Sequence, residues 1–293
     1  MGASVDLRTT VGAVPIARDV ISVEGPEATE FLQGQLSQEV AGLAVGASAP
    51  SFLLQPTGKV DAWLRVTRTG GERFLLDVEQ GFGGAVLTRL TRFKLRTKVE
   101  LALAHLSGLA IRGPGATGFQ PEAPSALAAA AGWPGVEGVD LLSEEPLALA
   151  GVPLADRSDL EALRIECGVP AMGAELTEAT IPAEAGQWLI DASVSFTKGC
   201  YTGQELVARI DSRGGNVPRP IRGLLVEGDP APVAASVSVD GKEVGHITSS
   251  ARSAALGAIA LAPLSRAVEI GARVSVDAEG GSHSATVAEL PLR

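Results

Sequence analysis

Apolar positions recur along the chain with two periods, and the switches between them outline the fold. Val14 to Glu24 (VPIARDVISVE) has the pattern of a strand, ended by Gly25-Pro26. Ala28, Phe31, Leu32 and Leu36 then fall at the spacing of one helix face, and Glu27 and Glu30 occupy its first turn, where acids suit the positive end of the helix dipole. Phe52-Leu53-Leu54 stops at the turn signal Gln55-Pro56-Thr57-Gly58, and Val60 to Thr67 and Arg73 to Val78 follow as strands, predicting an antiparallel meander. Val86, Leu87, Leu90 and Phe93 predict a helix over 82–93, with a strand from Val99 to Ala104. Residues 105–155 are rich in Ala, Gly and Pro, and read as a strand at Leu109 to Arg112, an alanine-rich helix near Ser125 to Ala131, and loops. Ser158 to Arg164 predicts a helix with Ser158 as N-cap and Glu161 completing a capping box, running to Cys167 and ending at Gly168 before Pro170. Gln204 to Ile210 opens another helix. From Ile221 onward, short β-type runs separated by turns at about ten-residue spacing predict an all-β module, barrel or sandwich, with Gly214 to Pro220 as its boundary.

Composition narrows the function classes. The 293 residues are 45% apolar and 20% charged, an ordinary globular balance with room for two domains. Thirty-four acids against 24 bases give a net charge of −10, which speaks against a direct nucleic-acid surface; positive charge gathers locally between Arg209 and Arg222. No run of 18 apolar residues predicts a membrane span. The N-terminal stretch lacks the unbroken apolar core of a signal peptide, and two cysteines make no disulfide scaffold, so the expected location is the cytoplasm. His105, His246 and His283 are scattered, and no metal site is expected. Gly81-Phe82-Gly83-Gly84 matches neither a dinucleotide fingerprint nor a P-loop.

The chemistry concentrates in Phe196 to Ile210, FTKGCYTGQELVARI. Cys200 stands on a turn bracketed by Gly199 and Gly203, with Lys198 two residues before it and a helix directly after, features that favour a thiolate. The plainer reading is a small apolar side chain filling a turn.

The octapeptide Lys198 to Glu205, KGCYTGQE, resembles the signature of the YgfZ family of folate-binding proteins, relatives of the glycine-cleavage T-protein, an aminomethyltransferase. Four further stretches resemble the family in the right order: Gly25 to Ala28 with Phe31-Leu32-Gln33; Leu163 to Pro170 (LRIECGVP, with Cys167 where alanine is usual); Glu178 to Gly186; and, in the C-terminal module, Gly245 to Ser250 with Leu256 to Pro263. The likeness implies an α+β, GcvT-like three-part ring around a central folate cavity, with antiparallel sheets and a C-terminal β-barrel. It divides the chain into 1–217, in two sub-lobes (about 1–50 with 155–217, and 51–154), and a barrel at 218–293.

What the resemblance implies for chemistry is a tetrahydrofolate-binding accessory protein, taking tetrahydrofolate or a one-carbon-substituted form. Its role is in iron–sulfur cluster assembly or repair, with any link to tRNA modification indirect through client enzymes. Cys200 is the implied reactive group, Glu166 the residue facing the pterin, and Arg164, Lys198, Gln204 and Arg209 the further cofactor-binding candidates. Plainer readings stand beside several: Arg164 paired with Glu161, Arg209 paired with Glu205, Lys198 solvated, and Tyr201 packed over the turn. The paired acids of the aminomethyltransferase align with Ala62 and Trp63, and Asp61 is displaced by a residue, which in a strand turns a side chain to the other face. Classical aminomethyl transfer is therefore not expected, and a folate-dependent one-carbon transferase or demethylase is the alternative. The expected state is a monomer.

Overall fold

The computed structural model describes residues 5–120, 127–145, 147, 149, 151–278 and 281–292. In chain order the elements are β1 (Gly12–Glu24), α1 (Ala28–Gln35), β2 (Ser48–Leu54), β3 (Val60–Gly70), β4 (Arg73–Glu79), α2 (Gly83–Lys94), β5 (Glu100–Arg112), β6 (Leu127–Ala130) and β7 (Gly138–Ser143). Then come α3 (Arg157–Cys167), α4 (Gln187–Ser193), α5 (Gln204–Asp211) and β8 (Ile221–Val226), and finally β9 (Ser236–Val239), β10 (Lys242–His246), β11 (Ser249–Ser253), β12 (Gly257–Pro263), β13 (Arg273–Ala278) and β14 (Gly281–Ala288).

The strands form two antiparallel sheets, ordered β2-β3-β4-β1-β5-β7-β6 and β10-β9-β13-β14-β8-β12-β11. One face of the first is covered by α1 and α2: Phe31, Leu32, Val86 and Leu90 pack there with Leu64, Val66, Phe74 and Leu76 in the largest core. The opposite face is concave. Arg65 on β3 donates to the Ala130 carbonyl on β6 at 3.2 Å, although five strand steps separate the two in the sheet. At the usual strand spacing that is roughly 24 Å along a flat sheet, so the sheet must curl far enough to bring its two flanks together. The second sheet closes as a barrel through a bridge between Gly245 and Leu264. That closure requires glycine, since a Cβ at Gly245 would stand 2.4 Å from the Pro263 carbonyl oxygen.

Several expectations need correction. The alanine-rich segment is not a helix: Leu127–Ala130 is a strand paired with β7, and Ser125 and Ala126 lie outside the described residues. Val99–Ala104 and Leu109–Arg112 belong to one strand of 13 residues, β5. The cap of α3 lies two residues earlier than expected: Asp156 is the N-cap, and its N–H bonds Asp159 Oδ2 at 3.2 Å, which leaves Glu161 free for Arg164. The Gly81–Gly84 loop serves the fold. Asp19 on β1 accepts from the Gly81 and Gly83 N–H groups at 2.8 and 2.9 Å, capping α2 from the neighbouring sheet, and a Cβ at Gly83 would stand 2.5 Å from that of Asp19.

Candidate functional site

The concave face of the first sheet, α3 and α4 enclose a cavity of about 460 Å³. All three tryptophans of the chain line it: Trp63 from β3, Trp133 from the loop before β7 and Trp188 from α4. Trp63 and Trp188 meet edge to face at 6.4 Å, and the Trp63 indole N–H donates to Ser193 Oγ at 3.1 Å. The lining also holds five arginines (Arg18, Arg65, Arg112, Arg157, Arg164) against three carboxylates (Glu79, Asp140, Glu161). On a chain of net charge −10 the cavity is thus locally cationic, by two charges on the lining, or by one with Asp77 behind it.

Most of these charges are locked into a ladder across the concave face. Arg18 donates to Asp77 at 3.0 Å, and Arg65 grips the same carboxylate with Nε and Nη2 at 2.9 and 3.1 Å. Arg65 also donates to Asp140 Oδ2 at 3.0 Å. Arg112 Nη2 stands 2.9 Å from Asp140 Oδ1, an ionic contact without the alignment of a hydrogen bond. Its guanidinium lies over the Trp133 ring at 4.3 Å. Burial works to raise Asp140, but Arg112 and Arg65 outweigh it and hold its carboxyl at about 2.

Glu79, the last residue of β4, differs from the other lining carboxylates. Oε1 accepts the Met172 N–H at 3.1 Å, while Oε2 has no partner among the described residues, and no cation stands within ion-pair distance. Its neighbour Arg18 is taken by Asp77 and Arg164 by Glu161 and Glu175. Burial pushes the Glu79 carboxyl up, with Arg18 and Arg164 opposing only from a distance.

The residues singled out in the sequence divide into three places. Arg164 lines the cavity, but its N–H groups are all spent inside the protein. Nε donates to Glu161 at 2.8 Å, Nη1 to the Val169 carbonyl and Glu175 at 2.6 and 3.1 Å, and Nη2 to Glu161 and Ser249 Oγ, both at 2.6 Å. Glu166, two residues further along α3 and so about 200° around the helix, turns away from the cavity. It pairs with Arg8 at 2.5 Å and borders a void of about 10 Å³, room for no more than a water. Lys198, Cys200, Gln204 and Arg209 form a separate loop cluster and do not line the cavity.

In that cluster Lys198 Nζ donates to the Leu36 and Gln38 carbonyls, both at 2.7 Å, and lies 5.2 Å from the Tyr201 ring centre, fastening the loop to the end of α1. Burial lowers Lys198 to about 8, against the attraction of Glu39. Cys200 is exposed. Gln204 Oε1 accepts the Tyr201 N–H at 3.2 Å, and Arg209 pairs with Glu205 at 2.6 Å on the surface. Gly203 is held against the β2–β3 turn so closely that a Cβ would stand 2.5 Å from the Gln55 carbonyl oxygen. The cluster and the cavity share α4, whose Trp188 and Ala192 line the cavity while the loop runs on from its end.

Sequence reading missed Arg18, Arg65, Asp77, Arg112 and Asp140. The available signal was a charged residue within a strand, on four strands, with Arg112 at the end of a fifth. Asp61, expected on the opposite face from the aligned acids, is the extra residue of a bulge where Leu53 pairs with Ala62 and Leu54 with Val60. It bonds Arg89 of α2 at 3.0 Å and does not line the cavity, whereas Trp63 does.

Residues 219–292 match the model of the glycine cleavage T-protein C-terminal barrel domain. An uncharacterised protein of Haemophilus influenzae is 30% identical over 200 residues, 67% of each chain. A Klebsiella pneumoniae protein named tRNA-modifying protein YgfZ is 30% identical over 222 residues, 67% of this chain and 65% of its own length, so the match spans just under two thirds of that relative. The crystal structure of the glycine cleavage system aminomethyltransferase T from Bartonella henselae superposes with a TM-score of 0.80 at 21% identity, covering 98% of this chain and 87% of that one. The fold is therefore that of the T-protein.

Proposed function

We propose that the chain is a YgfZ-type protein of the glycine-cleavage T-protein-like family, and that it is a tetrahydrofolate-binding accessory protein rather than an aminomethyltransferase. The observation that carries the reading is one cavity lined by all three tryptophans and a surplus of guanidinium groups on an acidic protein. Tetrahydrofolate joins a flat pterin and an aminobenzoyl ring to a glutamate with two carboxylates, and indole walls with local positive charge suit both halves. Arg157, the first residue of α3, has no ionic partner among the described residues and is the guanidinium free to meet a carboxylate at the cavity mouth.

The lining argues against aminomethyl transfer. Where the resemblance aligns an acid that would act on the folate amine, an indole stands, its N–H given to Ser193, and the nearby Asp61 is occupied by Arg89 outside the cavity. The exposed Cys200 thiol is then the reactive group, serving iron–sulfur assembly or repair and, through client enzymes, tRNA modification. It does not hold a cluster alone, since clusters need about four thiolates. Cys167 is no second ligand: it is buried, and burial pushes its thiol up to about 11, leaving it inert.

The direct test is titration with tetrahydrofolate followed by tryptophan emission, because every tryptophan borders the cavity. Saturable quenching is expected; an unchanged spectrum, with no heat in calorimetry, removes the folate reading. For the thiol, Cys200→Ser in cells lacking the native protein should leave iron–sulfur enzyme activities low. Full restoration by the variant removes Cys200 as the reactive group. Turnover of methylene-tetrahydrofolate with an amine acceptor would favour the transferase alternative.

A further inference from the structure

We infer that Glu79 is the residue through which the cavity recognises a pterin, by accepting the adjacent N–H donors of a 2-aminopyrimidine-type edge. The inference rests on the reading of the cavity as a folate site and gives that site its specificity-determining residue. Glu166, the carboxylate singled out in the sequence, is turned away and neutralised by Arg8. Of the three carboxylates on the lining, Asp140 is held between Arg65 and Arg112, and Glu161 is held by Arg164. Glu79 alone among them has no ion pair among the described residues, and one of its oxygens has no partner among them.

Glu79 is half-buried on the cavity lining, with an oxygen that no donor meets among the described residues, so a ligand in the cavity can supply the missing donors. A carboxylate has about four acceptor positions, and Glu79 spends one on the Met172 N–H. What remains suits two parallel N–H groups on a flat ring, the geometry in which a carboxylate accepts a bidentate partner. Position favours the same ligand. Trp63 and Trp188, on β3 and α4, line the same cavity and offer apolar surface for a ring, while Arg157 opens α3. The charged groups acting on Glu79 from the elements around it are Arg18 on β1, Arg164 on α3 and Glu175 after α3. No histidine lines the cavity among the described residues, and burial raises the Glu79 carboxyl from its ordinary value.

The test compares pterin with lumazine, which carries oxygen in place of the 2-amino group, on the wild-type chain and on Glu79→Gln. Glutamine preserves the volume and an oxygen for the Met172 N–H, but offers the ring a donor in place of an acceptor. The wild type should prefer pterin to lumazine by about tenfold to a hundredfold, the usual weight of one or two charge-assisted hydrogen bonds. In E79Q that preference should vanish or invert, while affinity for p-aminobenzoylglutamate, which lacks the pterin, stays the same. Equal preference in both proteins overturns the assignment of Glu79 and leaves the folate reading standing. A wild type that binds neither tetrahydrofolate nor pterin overturns the folate reading itself. Should E79Q fail to fold, the pH profile of wild-type binding of unreduced folate decides. Burial raises the Glu79 carboxyl, so affinity should fall on acidification at a pH above the ordinary carboxylate range. A flat profile overturns the inference.

Discussion

Arg164 and Asp140 line the same cavity, yet neither is free to meet a ligand. Arg164 gives its whole donor fork to Glu161, Val169, Glu175 and Ser249, and so ties α3, the following loop and β11 of the barrel into one node. An anion could win this guanidinium only by displacing Glu161. Asp140 is gripped by two arginines and titrates far below an ordinary carboxylate. Its folded-state value is depressed, so its contribution is complete above the unfolded value near 4 and is lost as pH falls toward about 2. Asp140→Asn should cost roughly 3–5 kcal/mol at neutral pH, because Arg65 and Arg112 keep their charges in a buried setting. Denaturant titrations of both proteins at stepped pH check this: the stability gap should stay constant above about pH 4 and narrow below it. A gap that widens on acidification would contradict the assignment.

The helices show how far local sequence carries and where tertiary structure takes over. For α3 the apolar face and the glycine stop at Gly168 were legible, but Asp156 and Ser158 both suit an N-cap, and only the packed structure selects Asp156 with Asp159. That two-residue shift releases Glu161 to Arg164. The phase of the same helix separates Arg164 from Glu166, a distinction that a linear motif does not carry. Leu127–Ala130 shows the opposite failure: alanine is the best helix former, but pairing with β7 overrides the weak propensity of four residues. For α2 the cap comes from outside the helix, since Phe82 makes no side-chain cap and Asp19 on β1 takes its place. Asp19→Ala should therefore lower stability by about 1–2 kcal/mol, as loss of a helix cap does, without altering ligand affinity. Thermal unfolding with a parallel binding measurement checks both halves; an unchanged melting temperature would show that the Gly81–Gly84 loop holds α2 by itself.

At the scale of the molecule, the strand meander, the C-terminal β-module and the cysteine on its glycine-bracketed turn were legible because each follows from local alternation, turn residues or a short motif. A central cavity was implied by the resemblance, but its lining was not legible, since its ladder joins Arg18, Arg65, Asp77, Arg112 and Asp140, residues that five strands contribute and only the curl of the sheet assembles. That curl has a kinetic consequence. The bond from Arg65 to Asp140 spans 75 residues of sequence and joins flanks that share no strand ladder, whereas β3 meets β4 through a short hairpin. Contacts of such long separation bear the highest loop-closure entropy and form late, after the hairpins they bridge. Arg65→Lys, which keeps the charge but loses the fork, should therefore speed unfolding several-fold while leaving the refolding rate nearly unchanged. Stopped-flow refolding and unfolding read the two limbs separately, and a slowed refolding limb would place the seam in the folding nucleus instead. On this account a growing chain can shape its hairpins early but has no pocket to offer a ligand until the far strand has been synthesised and the two flanks have met.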